Sequence, residues 1–468
     1  MEEDEFPGDV WITSSRDLAK ICDLIPANRG RQTLVTTLLQ AYELDKRCKG
    51  IIKVPKITRS ELEKFHSKNY LDILLKNRES IDQLLPDYTL IKQILMNRVF
   101  KDAPEGRKYH LGSAPFDPLK FGEELIEKHQ RDDVPEPESE SDLEIESEES
   151  DIDSESVGPC SVVDDVVSDM KVEESNDVLD MFGLRFDCSV FPFMSDYAKL
   201  VASSSIHTAK KVVELENEQN RTIAINWNGG RHHASKLKAA GFCYVNDIVI
   251  AINVLRLKYK KIFYLDLDLH HGDGVEAAFE FSQNVTTCSI HMYDIGFYPG
   301  TGSLESSGKH KINIPTRKGL SDSSMLRIVR DIVIPHMHKV GTDVIVMQAG
   351  VDGLATDDHK EWNMTIKGYS AVLKLIFNEL SNVPIMIVGG GGYNHTETSK
   401  CWAYLTKTAL GISDEKEPWD MLPEHEQLDF YQEDGFKFWT QYNLEAKSRK
   451  DENDIEYINH IENYISNL

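Results

Sequence analysis

The sequence predicts an α/β fold: a mostly parallel central sheet covered by helices on both faces, in three αβα layers. Two observations carry this. From Thr222 onward, short apolar runs of strand length alternate with segments whose apolar residues recur every three or four positions. Residues able to do chemistry also cluster just after those runs, where open parallel sheets gather their ligands.

Taken in order, residues 16–125 read as helical, with apolar periodicity over Thr33–Tyr42, Ile57–Leu75 and Tyr88–Phe100. Asp132–Glu155 is mostly Asp, Glu, Ser and Pro, too polar to offset chain entropy by burial, and is expected to be disordered. It reads as a solvated spacer in a surface loop, with contact to a basic partner as the sharper alternative. Ser141 and Ser150 each have an acid three residues on, a pattern that acidophilic kinases favour. Strand Thr222–Trp227 and helix Val245–Leu257 follow, then strands Lys261–Leu269 and Val285–His291. Helix Ser321–Val340, strand Asp343–Gln348, helix Ile366–Leu380, strand Pro384–Val388 and a helix over about Glu397–Leu410 complete the pattern. There is no internal repeat. Residues 1–127 and 180–468 are therefore expected to form one domain, interrupted by an acidic insert over 128–179.

Bulk properties narrow the function classes. No apolar run among the 468 residues reaches membrane-spanning length, and Met1-Glu2-Glu3-Asp4-Glu5 lacks the basic and apolar regions of a signal peptide. Seven scattered cysteines, none spaced C-x-x-C, predict a reducing compartment without a disulfide framework or thiolate zinc site. Of the net charge of −26, residues 132–180 contribute −19, so the remainder is a mildly acidic globule.

Four strand exits are chemically loaded. Thr222–Trp227 leads into Asn228-Gly-Gly-Arg231-His232-His233, and Asp343–Gln348 into Ala349-Gly350-Val351-Asp352. Pro384–Val388 leads into Gly389-Gly-Gly391-Gly392-Tyr393. The most informative exit is Tyr264-Leu-Asp266-Leu-Asp268-Leu-His270-His271-Gly-Asp273. Strand alternation puts Leu265, Leu267 and Leu269 on one face and Asp266, Asp268 and His270 on the other, a buried polar trio that calls for a cation. Taken singly, His232-His233 reads as a polar loop pair and Asp352 as a helix cap. The glycine run lacks the lysine and hydroxyl of a phosphate loop and reads as backbone that something approaches closely. Taken together, Asp268, His270 and Asp352 supply three protein ligands with room for water and substrate, the count of a catalytic zinc site. Nearby histidines with orienting acids, and a tyrosine on a glycine loop, complete a reading of metal-assisted hydrolysis of an amide.

The segments Asn226–His233, Gly241-Phe242-Cys243-Tyr244-Val245-Asn246-Asp247, Asp266–Asp273, Phe297-Tyr298-Pro299-Gly300-Thr301-Gly302 and Gly389–Tyr393 resemble the class I zinc-dependent histone deacetylases, and among them the fungal Hos-type members. The resemblance runs from about Asp17 to the C-terminus. It implies an arginase/deacetylase-like fold with a narrow tunnel that admits acetyl-lysine to zinc. Asp268, His270 and Asp352 resemble the zinc ligands. His233, paired with Asp273, resembles the general base, and His232, paired with Asp266, its electrostatic partner. Tyr393 resembles the residue that polarises the acetyl carbonyl. Gly241, Phe242 and Tyr298 resemble tunnel walls, with Gly391 and His359 also at the substrate and Asp187 the rim aspartate. Arg31 and Arg231 fall where the acetate product would leave. A potassium ion is implied at Asp266, Asp268, His270, Ser289 and Ile290, and a second at Phe279, Ser282 and Val285.

Five positions make four departures from the family pattern. Tyr298 replaces a phenylalanine, and Arg231 an apolar residue, which implies a charged inner cavity able to hold acetate. His359 replaces an apolar rim residue. Asp358 and Thr396 replace arginines that grip an inositol phosphate, which argues against recruitment to a corepressor by that route. The expected substrates are acetylated histone tails, or another chromatin protein such as a cohesin subunit. The expected setting is a nuclear chromatin or corepressor complex, a cytoplasmic pool being compatible, with neither membrane nor sequence-specific nucleic-acid binding. The competing readings are an acetylpolyamine or guanidine hydrolase and an inactive scaffold with the same fold.

Overall fold

The computed structural model describes residues 8–76 except 26 and 29, residues 110–111 and 114–115, and 176–468 except 192, 216–219 and 445–448. The expected helix Tyr88–Phe100 and the acidic stretch Asp132–Glu155 lie outside the described residues.

Eight strands make one sheet: β1 (Asp9–Thr13), β2 (Gly50–Ile52), β3 (Thr222–Asn226), β4 (Ile262–Asp266), β5 (Val285–Met292), β6 (Lys311–Thr316), β7 (Val344–Gln348) and β8 (Ile385–Val388). Their order is β2-β1-β3-β8-β7-β4-β5-β6, and every pairing is parallel. This is the arginase/deacetylase-type α/β architecture. The central strands β3, β8, β7 and β4 are buried along their whole length, which explains why they read as apolar runs. Ile223, Ile225, Phe263, Leu265, Ile345, Met347, Ile385 and Ile387 face one core. Ala224, Ile262, Tyr264, Val344, Val346, Met386 and Val388 face the other. Helices Arg31–Ala41, Ile366–Glu379 and His395–Ala409 cover the first face, while Met194–Glu214 and Asp247–Leu255 cover the second.

Register aligns the chemistry. Asn226 pairs with Val388, Val388 with Gln348, Gln348 with Asp266, and Asp266 with Ser289. The carboxyl ends of β3, β8, β7 and β4 therefore form one row, continued by Ser289 inside β5, and the loops that leave those four strands share one side of the sheet.

The structure departs from the sequence expectation at several elements. Strand β4 ends at Asp266, and Leu267–His270 continue in irregular backbone. Leu267 and Leu269 are nevertheless buried with the other leucines, because Leu267 N donates to Gln348 O and Met292 N to Leu269 O. The predicted helix Ile57–Leu75 breaks into Arg59–Glu63 and Lys68–Leu74, the second begun by Ser67, whose hydroxyl accepts from Tyr70 N. The predicted helix Ser321–Val340 contains a π-turn at Val329–Val333, beside Pro335, which has no N–H for a regular helical bond. Strands β1, β2 and β6 and the 21-residue helix Met194–Glu214 were not expected. β2 has only three residues, and β6 carries Pro315, a residue tolerated there because β6 is an edge strand.

Candidate active site

Asp268 and His270 leave β4 on the loop after Asp266, and Asp352 leaves β7 four residues after Gln348. All three are buried, and one ligand atom from each lies within 4.8 Å of the others. Their orientation is enforced from outside the trio. Asp268 Oδ2 accepts from Gln348 Nε2 at 2.9 Å and Gly391 N at 2.7 Å, and Asp352 Oδ1 accepts from Leu269 N at 2.9 Å. The remaining oxygens, Asp268 Oδ1 and Asp352 Oδ2, lie 3.3 and 3.0 Å from His270 Nδ1. A Cβ at Gly391 would come within 2.2 Å of Asp352 Oδ2, and one at Gly350 within 2.2 Å of Asp268 Oδ2, so both loops need glycine where they pass the carboxylates.

The electrostatics ask for a cation. Burial, then the adjacent Asp268 charge, pushes the Asp352 carboxyl up to about 6. Burial opposes ionisation of Asp268 too, but the facing His232 and His270 hold it well below the usual carboxylate range. Burial would lower His270, yet its bonds to Asp268 and Asp352 raise it to about 10. Two carboxylates and an imidazole converging in a dry cage suit a divalent ion that leaves coordination positions open.

Beside the trio stand His232 and His233, their rings 3.9 Å apart. Their loop is shaped by Asp247, which accepts from Gly230 N at 3.0 Å and Arg231 N at 2.8 Å. His232 Nδ1 is 2.8 Å from Asp266 Oδ2, which also accepts from the Tyr264 hydroxyl at 2.6 Å. His233 Nδ1 is 2.7 Å from Asp273 Oδ1. These neighbours split two chemically equal side chains. For His232, burial is outweighed by Asp266 and Asp268, and its pKa rises to about 9. For His233, burial and then the charge of His232 prevail, and its pKa falls to about 4. At neutral pH one is a cation and the other a base with a free Nε2.

The histone deacetylase domain family matches residues 25–409 of this chain. The chain belongs to the histone deacetylase family. It is 30% identical to histone deacetylase HOS1 of Saccharomyces cerevisiae over 464 residues, 94% of each chain. It is 36% identical to histone deacetylase 8 of Xenopus laevis over 285 residues, 60% of this chain and 83% of the relative. Against histone deacetylase HDAC1 of Drosophila melanogaster the identity is 35% over 299 residues, 63% of this chain and 54% of the relative. The protein is thus an enzyme of the hydrolase class, from a zinc-dependent family.

Around this deacetylase centre the other expected residues fall as follows. The Tyr298 ring stands edge-on to His233 at 5.0 Å and to His270 at 6.1 Å, and the Phe242 ring lies 6.0 Å from Tyr393. Gly241 packs so closely that a Cβ would sit 2.3 Å from the His233 ring and 2.9 Å from the Tyr298 hydroxyl. Asp187 Oδ2 accepts from Gly241 N at 2.6 Å, tying the expected rim residue to the expected wall residue. His359 sits 4.9 Å from the His270 ring and 4.7 Å from the Tyr393 ring, with Nδ1 on Asp357 at 3.1 Å. Burial, then Asp352 and Asp268, keeps the Tyr393 hydroxyl protonated far above its usual range. Arg31 Nη1 donates to Gly392 O at 3.0 Å, and Arg231 is buried. His271 turns away, bound to Thr301 and Glu276. Asp266 pairs with Ser289 in register, next to Ile290, and Phe279, Ser282 and Val285 share the turn before β5, where Phe279 O accepts from Ser282 N at 2.9 Å.

Three contributors escaped the sequence reading. Phe297 stacks on His270 with ring centroids 5.2 Å apart and planes nearly parallel at 6°. Gln348, read only as a strand end, orients Asp268. Asp357 Oδ2 accepts from Tyr393 N at 2.7 Å and so fixes the tyrosine's backbone. The sequence signal for Gln348 was its position as a polar residue ending an apolar strand; Asp357 had none.

Proposed function

We propose that this protein hydrolyses the acetyl amide of N6-acetyl-lysine in proteins, histone tails first, to lysine and acetate, with one zinc ion held by Asp268, His270 and Asp352. The observation that carries the reading is geometric: the buried trio stands beside two histidines, each with Nδ1 held on a carboxylate, His232 on Asp266 at 2.8 Å and His233 on Asp273 at 2.7 Å. Zinc bound there would act as a Lewis acid toward the acetyl carbonyl and the attacking water. His233, with Nδ1 held by Asp273, accepts the water proton on Nε2 and returns it to lysine Nζ as the C–N bond breaks. His232, kept protonated by Asp266, stabilises the negative charge that develops on the reacting group. Tyr393 donates its hydroxyl to the acetyl oxygen. Gly241, Phe242 and Tyr298 sheath the lysine methylenes, Gly391 and His359 flank the acetyl group, and Asp187 holds the substrate backbone at the rim.

Potassium is proposed at Asp266, Asp268, His270, Ser289 and Ile290, and again at Phe279, Ser282 and Val285, where it would brace the loops behind the zinc. Residence in the nucleus and action within a chromatin complex accord with the named relatives. Asp358 and Thr396 speak against recruitment through an inositol phosphate. A non-histone chromatin substrate such as a cohesin subunit remains within the same chemistry. The test is turnover of acetylated histone-tail peptides by the purified protein, with metal content measured in parallel. Release of acetate that disappears in His233→Ala while zinc stays bound supports the proposal. A zinc-loaded wild type that cleaves no acetyl-lysine peptide overturns it.

A further inference from the structure

Two guanidinium groups lie buried behind the catalytic tyrosine. Arg31 is 1% exposed and Arg231 5%. Arg31 is pinned by its bond to Gly392 O at 3.0 Å and by Trp402, whose ring centroid lies 5.0 Å from Cζ. Gly392 stands between Tyr393 and Gly391, the residue whose N–H holds Asp268, so Arg31 backs directly onto the catalytic loop. Arg231 immediately precedes His232, on the loop whose Gly230 touches Gly389. The two cations are close enough that each acts electrostatically on the other, and Arg231 shares its surroundings with the Cys243 thiol, as Asp268 does.

Among the described residues, no carboxylate lies within 4.0 Å of either guanidinium, and Nε and Nη2 of both arginines, with the buried Tyr197 hydroxyl, have no hydrogen-bond partner. The nearest acids are occupied elsewhere. Asp23 accepts from Gln32 N, Thr33 N and Thr33 Oγ1, and Asp247 from Gly230 N, Arg231 N and Ser205 Oγ. Arg31 is lowered only to about 10 by burial and by Arg231, so both remain charged at neutral pH. Buried, unpaired charges with free donors are strongly disfavoured unless an anion completes them, and a guanidinium fork matches a carboxylate. A divalent metal ion held at Asp268 and Asp352 would neutralise those carboxylates, leaving Asp23 and Asp247, both already hydrogen-bonded elsewhere, as acids that act on the two guanidiniums from a distance.

We propose that Arg31 and Arg231 bind a carboxylate at the acyl end of the substrate, so that the enzyme also hydrolyses N6-malonyl- and N6-succinyl-lysine and disfavours longer apolar acyl groups. This rests on the deacetylase reading above and deepens it. The reaction keeps the same balance: water adds to the amide carbon, the C–N bond breaks, and lysine and the dicarboxylate leave. The acyl carboxylate enters the space beside Arg31 and Arg231, whereas a butyryl chain would bury a methyl group against two unpaired cations.

The test compares kcat/KM for acetyl-, malonyl-, succinyl- and butyryl-lysine on one histone-tail peptide. It uses wild type, Arg231→Leu and, as the charge-retaining variant, Arg231→Lys. Free acetate and free succinate are assayed as inhibitors in the same series. The expected result is acidic-acyl turnover within about tenfold of acetyl, with butyryl well below it. Arg231→Leu should shift the succinyl-to-butyryl ratio toward butyryl by about 100-fold, and Arg231→Lys should restore most of it. Acetyl turnover without measurable malonyl or succinyl turnover overturns the inference but leaves the deacetylase reading standing. So does inhibition by free acetate or succinate that depends on Arg231 without acidic-acyl turnover, since the pair then serves free carboxylate. Absence of all turnover in zinc-loaded protein overturns both.

Discussion

His233 Nδ1 lies 2.7 Å from a carboxylate oxygen of Asp273, a residue whose side chain is 32% exposed, whereas Asp266, the partner of His232, is fully buried. Burial disfavours charge on both histidines, but at His232 it is outweighed by Asp266 and Asp268, whereas at His233 burial and the charge of His232 outweigh the bond to Asp273. His233 is thereby the neutral member of the pair, the state the proposed base needs.

His233→Ala should lower kcat on an acetyl-lysine peptide by about 10²- to 10⁴-fold while zinc content stays near one per chain. Steady-state kinetics and elemental analysis on the same preparation check this. Activity within tenfold of wild type would remove His233 from the proton transfer.

Gln348→Leu should weaken metal binding by about 10- to 100-fold, because it removes the amide that fixes Asp268 Oδ2 at 2.9 Å. Competition against a chelator gives the affinity. Asp268→Asn should lose the metal outright. Equal affinity in Gln348→Leu and wild type would show that Gly391 N alone suffices to orient the carboxylate.

Tyr393→Phe should reduce kcat by about 10²- to 10³-fold with a much smaller change in KM, since its hydroxyl acts where oxyanion charge develops. A loss carried by KM instead would make the tyrosine a ground-state binding group.

Stability should fall on the acid side through His66. Burial pulls its pKa down to about 4, and its Nε2 accepts from Asn246 N at 3.0 Å, which requires the neutral ring. A folded pKa below the unfolded value of about 6.5 means that the stabilisation is complete above pH 6.5. It is lost progressively as pH falls toward 4 and reaches a limit on the order of 3 kcal/mol. Urea midpoints measured from pH 7 to pH 4 should slope less steeply in His66→Gln than in wild type. Parallel slopes would place the acid sensitivity elsewhere.

The candidate ligands Asp268, His270 and Asp352 and the pair His232-His233 were legible in the chain because polar residues interrupt or end apolar strands there, and buried strand exits tolerate such groups only when something is bound or reacted. The central strands were legible for the same reason, as apolar runs. β2 and β6 were not: three residues, and a strand carrying proline, hold no periodic signal, and it is pairing with an existing sheet that makes them strands.

The sequence by itself determined the fold class and the family, and it singled out the candidate reacting groups. Only the tertiary structure decided that the two histidines differ in charge state, that Gln348 and Asp357 hold Asp268 and Tyr393 in place, and that, among the described residues, Arg31 and Arg231 share one neighbourhood with no carboxylate in contact. Each of those depends on burial and on charges brought together from elements up to hundreds of residues apart, where low dielectric and exclusion of water set the protonation state and the demand for a partner.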